Sequence, residues 1–160
     1  MSSAAECWTA LAAPLPTSAI LWRIDGKPMS RDGKFYARFV AYITAAFVQA
    51  RLDACVKGEW TFALHALPPA HDKDGVETFA FISTLTIRGV SRDDAGEGQD
   101  YKSAASDSLK RSAMRFGIGT ELQSYAANWV EVDGDGKYAK AKESAQAVFD
   151  RKYRINAAHT

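Results

Sequence analysis

The sequence predicts an α+β domain in which a small antiparallel sheet packs on a long helix, with additional helices around it. Three observations predict it. Two β-favouring segments, 60–67 and 79–90, flank a polar stretch at 71–75 as the arms of a hairpin. A segment of helical period, 101–116, follows them and is closed by Gly117. The length of 160 residues, with 47% hydrophobic and 24% charged residues, suits one compact domain and excludes a disordered or fibrous chain.

Taken in order, 20–24 reads as a short strand ending at the turn dipeptide Asp25-Gly26. Residues 35–56 carry apolar side chains at Phe39, Ile43, Phe47, Val48, Leu52 and Val56, which predicts an amphipathic helix stopped by Gly58. Segment 60–67 alternates aromatic and small residues until Pro68-Pro69. Phe81, Thr84 and Thr86 favour a strand in 79–90. Residues 93–100 then read as an acidic, glycine-rich loop. In 101–116, Ala105, Leu109, Ala113 and Phe116 fall on one arc, the expected buried stripe. Thr120-Glu121-Leu122-Gln123 fits a capping box opening a short helix. The expected division is an N-terminal segment 1–19, a folded domain 20–132, and a basic, partly ordered tail 133–160.

The net charge of +1 excludes a uniformly basic nucleic-acid binder, but the charges are clustered. Residues 27–38 carry +3, through Lys27, Arg31, Lys34 and Arg38 against Asp32. Residues 101–119 return another +3, with Lys102, Lys110, Arg111 and Arg115 against Asp107. On the helix, Lys110, Arg111 and Arg115 lie off the apolar arc. They either solubilise it, with Asp107 and Arg111 as an (i, i+4) pair, or form a rigid row of cations for phosphates. Phe35 and Tyr36, between Lys34 and Arg38, read two ways: as base-stacking rings or as the first buried residues of a helix. Trp60, Phe62, Phe79 and Phe81 read as core.

Residues 104–117, Ala-Ala-Ser-Asp-Ser-Leu-Lys-Arg-Ser-Ala-Met-Arg-Phe-Gly, resemble the signature helix of the Rad-type single-strand annealing superfamily. Gly58-Glu59-Trp60 is similar to the Gly-Trp that opens a strand of that family. A bacterial branch of DNA-end protection proteins resembles the chain further. The similar blocks are 27–36 (Lys-Pro-Met-Ser-Arg-Asp-Gly-Lys-Phe-Tyr), 115–119, 128–130 and 133–140. The resemblance covers 21–140. It implies a β-β-β-α core assembled as a homo-oligomeric ring, with single-stranded DNA in a basic groove. It also implies that phosphates meet Lys110 and Arg111 together with Arg31 on an upstream turn. The chain departs from the annealing branch in its acidic stretch 93–100 and in Met114, where that branch has an arginine.

Other signals carry less. Asp25-Gly26-Lys27, Asp32-Gly33-Lys34 and Asp135-Gly136-Lys137 have an acid-x-lysine spacing that some Mg²⁺-dependent nucleases use, but Asp-Gly is foremost a turn dipeptide. His65 and His71 lack partners at metal-ligand spacing, and Gly96-Glu97-Gly98 lacks the third glycine of a phosphate loop. Cys7 and Cys55 read as reduced thiols. No secretory signal or membrane span is apparent, so the expected location is the bacterial cytoplasm, at the nucleoid. The expected function is non-enzymatic binding and protection of single-stranded DNA ends in repair, with no metal or cofactor. The DNA-contacting residues are expected to be Arg31, Lys34, Lys110, Arg111 and Arg115. Strand annealing and Mg²⁺-dependent nuclease activity are the alternatives.

Overall fold

The computed structural model describes residues 3–154. In chain order the elements are α1 (Ala4–Leu11), β1 (Leu21–Arg31), β2 (Lys34–Tyr42), α2 (Ala45–Val56), β3 (Trp60–Ala66) and β4 (Ala70–His71). They continue with β5 (Glu77–Ile87), β6 (Val90–Gly98), α3 (Tyr101–Met114), β7 (Asn128–Val132) and α4 (Ala145–Phe149). The class is α+β with antiparallel sheets, as expected. The chain divides into two compact units, one drawn from Met1–Ala19 and Ile43–Glu121, the other from Ile20–Tyr42 and Leu122–Thr160. Residues 1–2 and 155–160, the extremities of the expected N-terminal segment and tail, lie outside the described residues.

In the first unit, β5 pairs with β3 on one side and β6 on the other, and β4 adds a short pairing at its start. Side chains alternate across β5, so Ser83, Leu85 and Ile87 are buried on one face. The hairpin arms form where the sequence placed them, but the second ends at Ile87. Arg88 and Gly89 both take positive φ (47° and 79°) and turn the chain, so Val90 already belongs to β6. The stretch 93–100, expected as an acidic loop, is therefore mostly strand. Asp and Gly disfavour strands intrinsically, yet pairing with β5 along the whole of β6 overrides that preference.

Gly96 faces α3, and its lack of a side chain sets how near the helix can come. A Cβ there would stand 2.2 Å from the Ser108 backbone nitrogen. The residues of α3 that become fully buried are accordingly small: Ala104, Ser108, Ser112 and Ala113. This corrects the expected stripe, because of Ala105, Leu109, Ala113 and Phe116 only Ala113 is fully buried. The buried hydroxyls find partners locally, and that of Ser108 donates to the Ala105 carbonyl at 2.9 Å. Ser83 Oγ lies 2.6 Å from Ser112 Oγ and within 3.3 Å of the Ser108 carbonyl oxygen. Asp100 caps the helix by accepting the Ser103 N–H at 2.7 Å. Trp60, Phe62, Phe79 and Phe81, expected as core, are half-buried, and Phe79 and Phe81 meet the Tyr101 ring at 4.4 and 5.9 Å.

The helix expected over 35–56 is corrected to its second half. Phe35, Phe39 and Ile43 match a four-residue repeat, but Phe35, Ala37, Phe39 and Ala41 match a two-residue one equally well. The second period wins because residues 34–42 can pair on both sides. Likewise β1 does not end at Asp25-Gly26. It runs to Arg31 with an irregularity between Asp25 and Met29. The chain reverses instead at Asp32-Gly33, where both residues take positive φ (51° and 75°), the geometry of a tight two-residue hairpin. The short helix expected from Thr120 is a 3₁₀ turn, Thr120–Ser124, whose Thr120 hydroxyl donates to the Met114 carbonyl.

The second unit is the sheet β1-β2-β7 with α4 on one face. Ala37, Val130 and Val132 are buried on that face, opposite Ala145, Val148 and Phe149 of α4. Trp22 is fixed there by donating its indole N–H to Gln146 Oε1 at 2.9 Å. Within the described part of the expected tail, Ala145, Val148 and Phe149, at i, i+3 and i+4, form an apolar stripe, and Lys137, Lys140, Lys142, Arg151 and Lys152 are exposed.

The close approach of α3 to β6 generates a prediction for stability. Gly96→Ala should lower it by roughly 2–3 kcal/mol or more, because the added methyl meets backbone that cannot turn aside. Urea unfolding followed by circular dichroism reads this directly. A variant as stable as the wild type would show that α3 is not held against β6 in this way.

Candidate nucleic-acid interface

The helix cations come first. Arg111 of α3 and Arg115 at its C-cap are one turn apart and both reach a single carboxylate, Asp94 of β6, at 3.5 and 2.8 Å. Asp94 shares the helix-facing side of β6 with Gly96, so the glycine contact also places the carboxylate. Asp94 is only 17% exposed, whereas both arginines are more than half exposed. Burial pushes its pKa up, but the Arg115 hydrogen bond, the Ala95 N–H and the two guanidinium charges outweigh this and hold it below the usual carboxylate value. The Asp107–Arg111 pair of the solubilising alternative is not made. Asp107 accepts the Glu97 backbone N–H at 3.1 Å, and Arg111 turns to Asp94. Lys110 is half-exposed on the same helix.

Arg92, which the sequence reading passed over, joins this group. Its guanidinium lies 5.7 Å from the Phe116 ring centre, and Phe116 stacks on Trp8 at 5.8 Å. Arg92, Arg115, Phe116, Trp8 and Val90 line an open hollow of about 400 Å³. The signal for Arg92 would have been the alternation of β6, had 93–100 been recognised as strand.

The hairpin cations belong to the second unit. Arg31 is 83% exposed beside the Asp32-Gly33 turn, with Asp32 at 3.8 Å. Lys34 donates to Glu131 at 3.3 Å. Glu131 also accepts from Lys142 at 2.7 Å, and these hydrogen bonds hold its pKa below the usual range. Phe35 and Tyr36 are neighbours on a strand, so they point to opposite faces. Phe35 shares the face of Ala37 and Val132, towards α4, while Tyr36 shares the other face with Arg38 and Lys34. Tyr36 and Arg31 line a shallow hollow of about 610 Å³ with Met29, Trp129 and Lys152. Arg31 and Tyr36 are thus brought together, as are Arg111 and Arg115, and Phe35 is directed elsewhere.

Among the described residues, no three His, Cys, Asp or Glu side chains gather where they could hold a metal ion. Of the three acid-x-lysine triplets, Asp32-Gly33 makes the hairpin turn and Asp25-Gly26 sits at the β1 irregularity. The third follows Asp133, whose carboxylate accepts the Lys140 N–H at 2.8 Å. Gly96-Glu97-Gly98 is strand, its glycines making room for α3. No helix among the described residues is long and apolar enough to cross a membrane.

Exposed arginines and lysines on a helix and a hairpin, with half-exposed aromatic rings beside them, make surfaces of the kind that suit a polyanion with flat apolar parts. The chain is 38% identical over 127 residues to the "Single-stranded DNA-binding protein DdrA" of Deinococcus deserti, covering 75% of this chain and 58% of that protein. It is 34% identical over 129 residues to the protein of the same name from Deinococcus radiodurans, covering 77% and 57%. Over that segment the chain is similar to these two proteins. It spans a little over half the length of these curated relatives. No protein-family model matches it.

The Asp94 clamp carries a sign that can be tested. Because the folded pKa is depressed, the ionised Asp94 contributes stability above the ordinary value of 3.8 and loses it as pH falls through the lower folded value. The melting temperature of the wild type should therefore exceed that of Asp94→Asn at pH 7, and the gap should close as the pH drops below 3.8. A gap independent of pH would mean that the carboxylate charge does not hold the two arginines.

Proposed function

We propose that this chain binds single-stranded DNA through its phosphates, as a non-enzymatic protein of DNA repair. The observation that carries the proposal is the relationship, over three quarters of the chain, to two proteins named for single-stranded DNA binding. The placement of exposed cations supports it: Lys110, Arg111 and Arg115 on the rigid α3, and Arg31 and Lys34 at the hairpin. An arginine offers a planar fork to a phosphate and a lysine a mobile point charge. The functional stretch is taken as 20–132, with the basic residues of 133–154 supplementing it.

The finer parts of the reading are proposals too. The chain assembles with itself as a ring, so that modest phosphate contacts repeat and their avidity multiplies. It covers DNA ends against exonucleases at the nucleoid. The helix cations and the hairpin cations each grip phosphates of single-stranded DNA. Annealing ranks below protection, because Asp94 occupies the forks of Arg111 and Arg115 and must be displaced by phosphate, which tempers their grip.

Fluorescence anisotropy with a labelled oligonucleotide tests the reading. Lys110→Ala, Arg111→Ala and Arg31→Ala should each weaken binding on the order of ten-fold, with the melting temperature unchanged in Arg31→Ala and lowered in Arg111→Ala by no more than in Asp94→Asn. Each should also reduce the log–log salt slope by about 0.7. Asp94→Asn should tighten binding, since it releases two guanidinium groups without removing a cation. Normal binding by the three cation variants would return these side chains to ordinary solvated positions. Light scattering with and without oligonucleotide checks the ring, and one subunit's mass at every concentration would exclude it. An exonuclease assay on the bound oligonucleotide, with and without Mg²⁺, separates protection from cleavage.

A further inference from the structure

The sheet β1-β2-β7 has one face against α4 and one face turned away from it. Which side chains take the outward face follows from the register. Met29 is paired with Tyr36, Tyr36 with Glu131, and Arg38 with Trp129, and paired residues of antiparallel strands share a face. On β7 the alternation is complete: Asn128, Val130 and Val132 are buried, and Trp129 between them is 38% exposed. Met29 is 60% exposed. An indole, a phenol ring and a thioether thus stand together outside the core, on a surface where apolar groups of this size need a reason.

The charges around them give the reason. Arg31 and Lys152 border the same hollow as Met29, Tyr36 and Trp129, and Arg38 is the cross-strand neighbour of Trp129. Lys152 donates to the Trp129 carbonyl at 3.0 Å, which holds an ammonium beside the indole. The carboxylates on this face are matched by cations: Asp25 by Arg38 at 3.7 Å, Asp32 by Arg31 at 3.8 Å, and Glu131 by Lys34 and Lys142. Flat rings set among cations complement a chain that alternates phosphates with aromatic bases. A duplex hides its base faces in its own stack, whereas a single strand offers them.

We infer that this outward face is a base-stacking site for single-stranded DNA, with Trp129 and Tyr36 as its rings and Arg31 and Lys152 beside them for the phosphates. The inference rests on the proposed function and deepens it. It assigns stacking to Tyr36 and Trp129 and withdraws it from Phe35, which faces α4.

The test compares a thymidine oligonucleotide with an abasic one of equal length, using the full chain as wild type, Trp129→Ala and Trp129→Phe. The wild type should bind the thymidine strand about ten-fold more tightly than the abasic strand. Trp129→Ala should lose that preference while binding the abasic strand as the wild type does. Trp129→Phe, which keeps a ring, should retain most of the preference. Quenching of indole fluorescence by the thymidine strand should be smaller in Trp129→Phe than in the wild type. Equal affinity of the wild type for both strands would overturn the inference, as would an unchanged preference in Trp129→Ala. A variant weakened equally towards both strands would also overturn it, since the indole would then support the fold rather than the bases. Capture of poly-glutamate as tight as that of thymidine would do the same, by making the face one for acidic peptides. A wild type that binds neither strand would instead sink the proposed function itself, and the inference with it.

Discussion

The contact between Gly96 and the backbone of Ser108 governs the first unit. It lets α3 lie against β6 at a distance that no other residue at position 96 would allow. Helix packing this close admits only small side chains, and the buried residues of α3 are Ala and Ser for that reason. Buried hydroxyls need partners, and Ser83, Ser108 and Ser112 supply them locally. The same closeness brings Asp94 within reach of Arg111 and Arg115. Packing at the interior of the helix thereby fixes the electrostatics at its margin.

Residue alternation governs the second unit. The tight turn at Asp32-Gly33 sets the register of β1 on β2, and that register decides which residues meet α4. A slip of β1 by one position would turn Trp22 and Ile24 away from α4 and bring Arg23 and Asp25 to the buried face. The desolvation of those two charges opposes it. The apolar stripe of α4 therefore has a consequence on the opposite side of the sheet. By fixing which face is dry, it fixes which face carries the rings and the cations.

The strands β3 and β5 and the helix α3 were legible because each period was unambiguous and bounded by Pro, Gly or a polar turn. Residues 35–42 were not, since phenylalanines four apart satisfy a helix and a strand at once. Only pairing with both β1 and β7 resolves the choice, and β7 lies about ninety residues further along the chain. Segment 93–98 was misread for a related reason. Its acids and glycines resemble a loop in composition, and only the neighbouring β5 makes them a strand. The cations Lys110, Arg111 and Arg115 were legible from helical spacing. Their partner was not, because Asp94 is reached through tertiary contact, and the sequence pointed to the (i, i+4) candidate Asp107 instead.

Asp94 and Glu131 have a common physical role in the two units. Each is a carboxylate shared by two cations, and in each case hydrogen bonds from those cations help depress its pKa. A carboxylate so placed holds long side chains in defined positions, which lowers the entropy they lose on gripping an anion. It also competes with that anion for the same donors. The two effects oppose each other, and their balance depends on burial. Asp94, at 17% exposure, is somewhat more enclosed than Glu131 at 26%, so its competition is the less screened of the two. The α3 cations should accordingly be the more restrained pair, held in place but costly to detach. The hairpin cations should be the more readily available ones, and Arg31, whose own partner Asp32 is 91% exposed, the least encumbered of them.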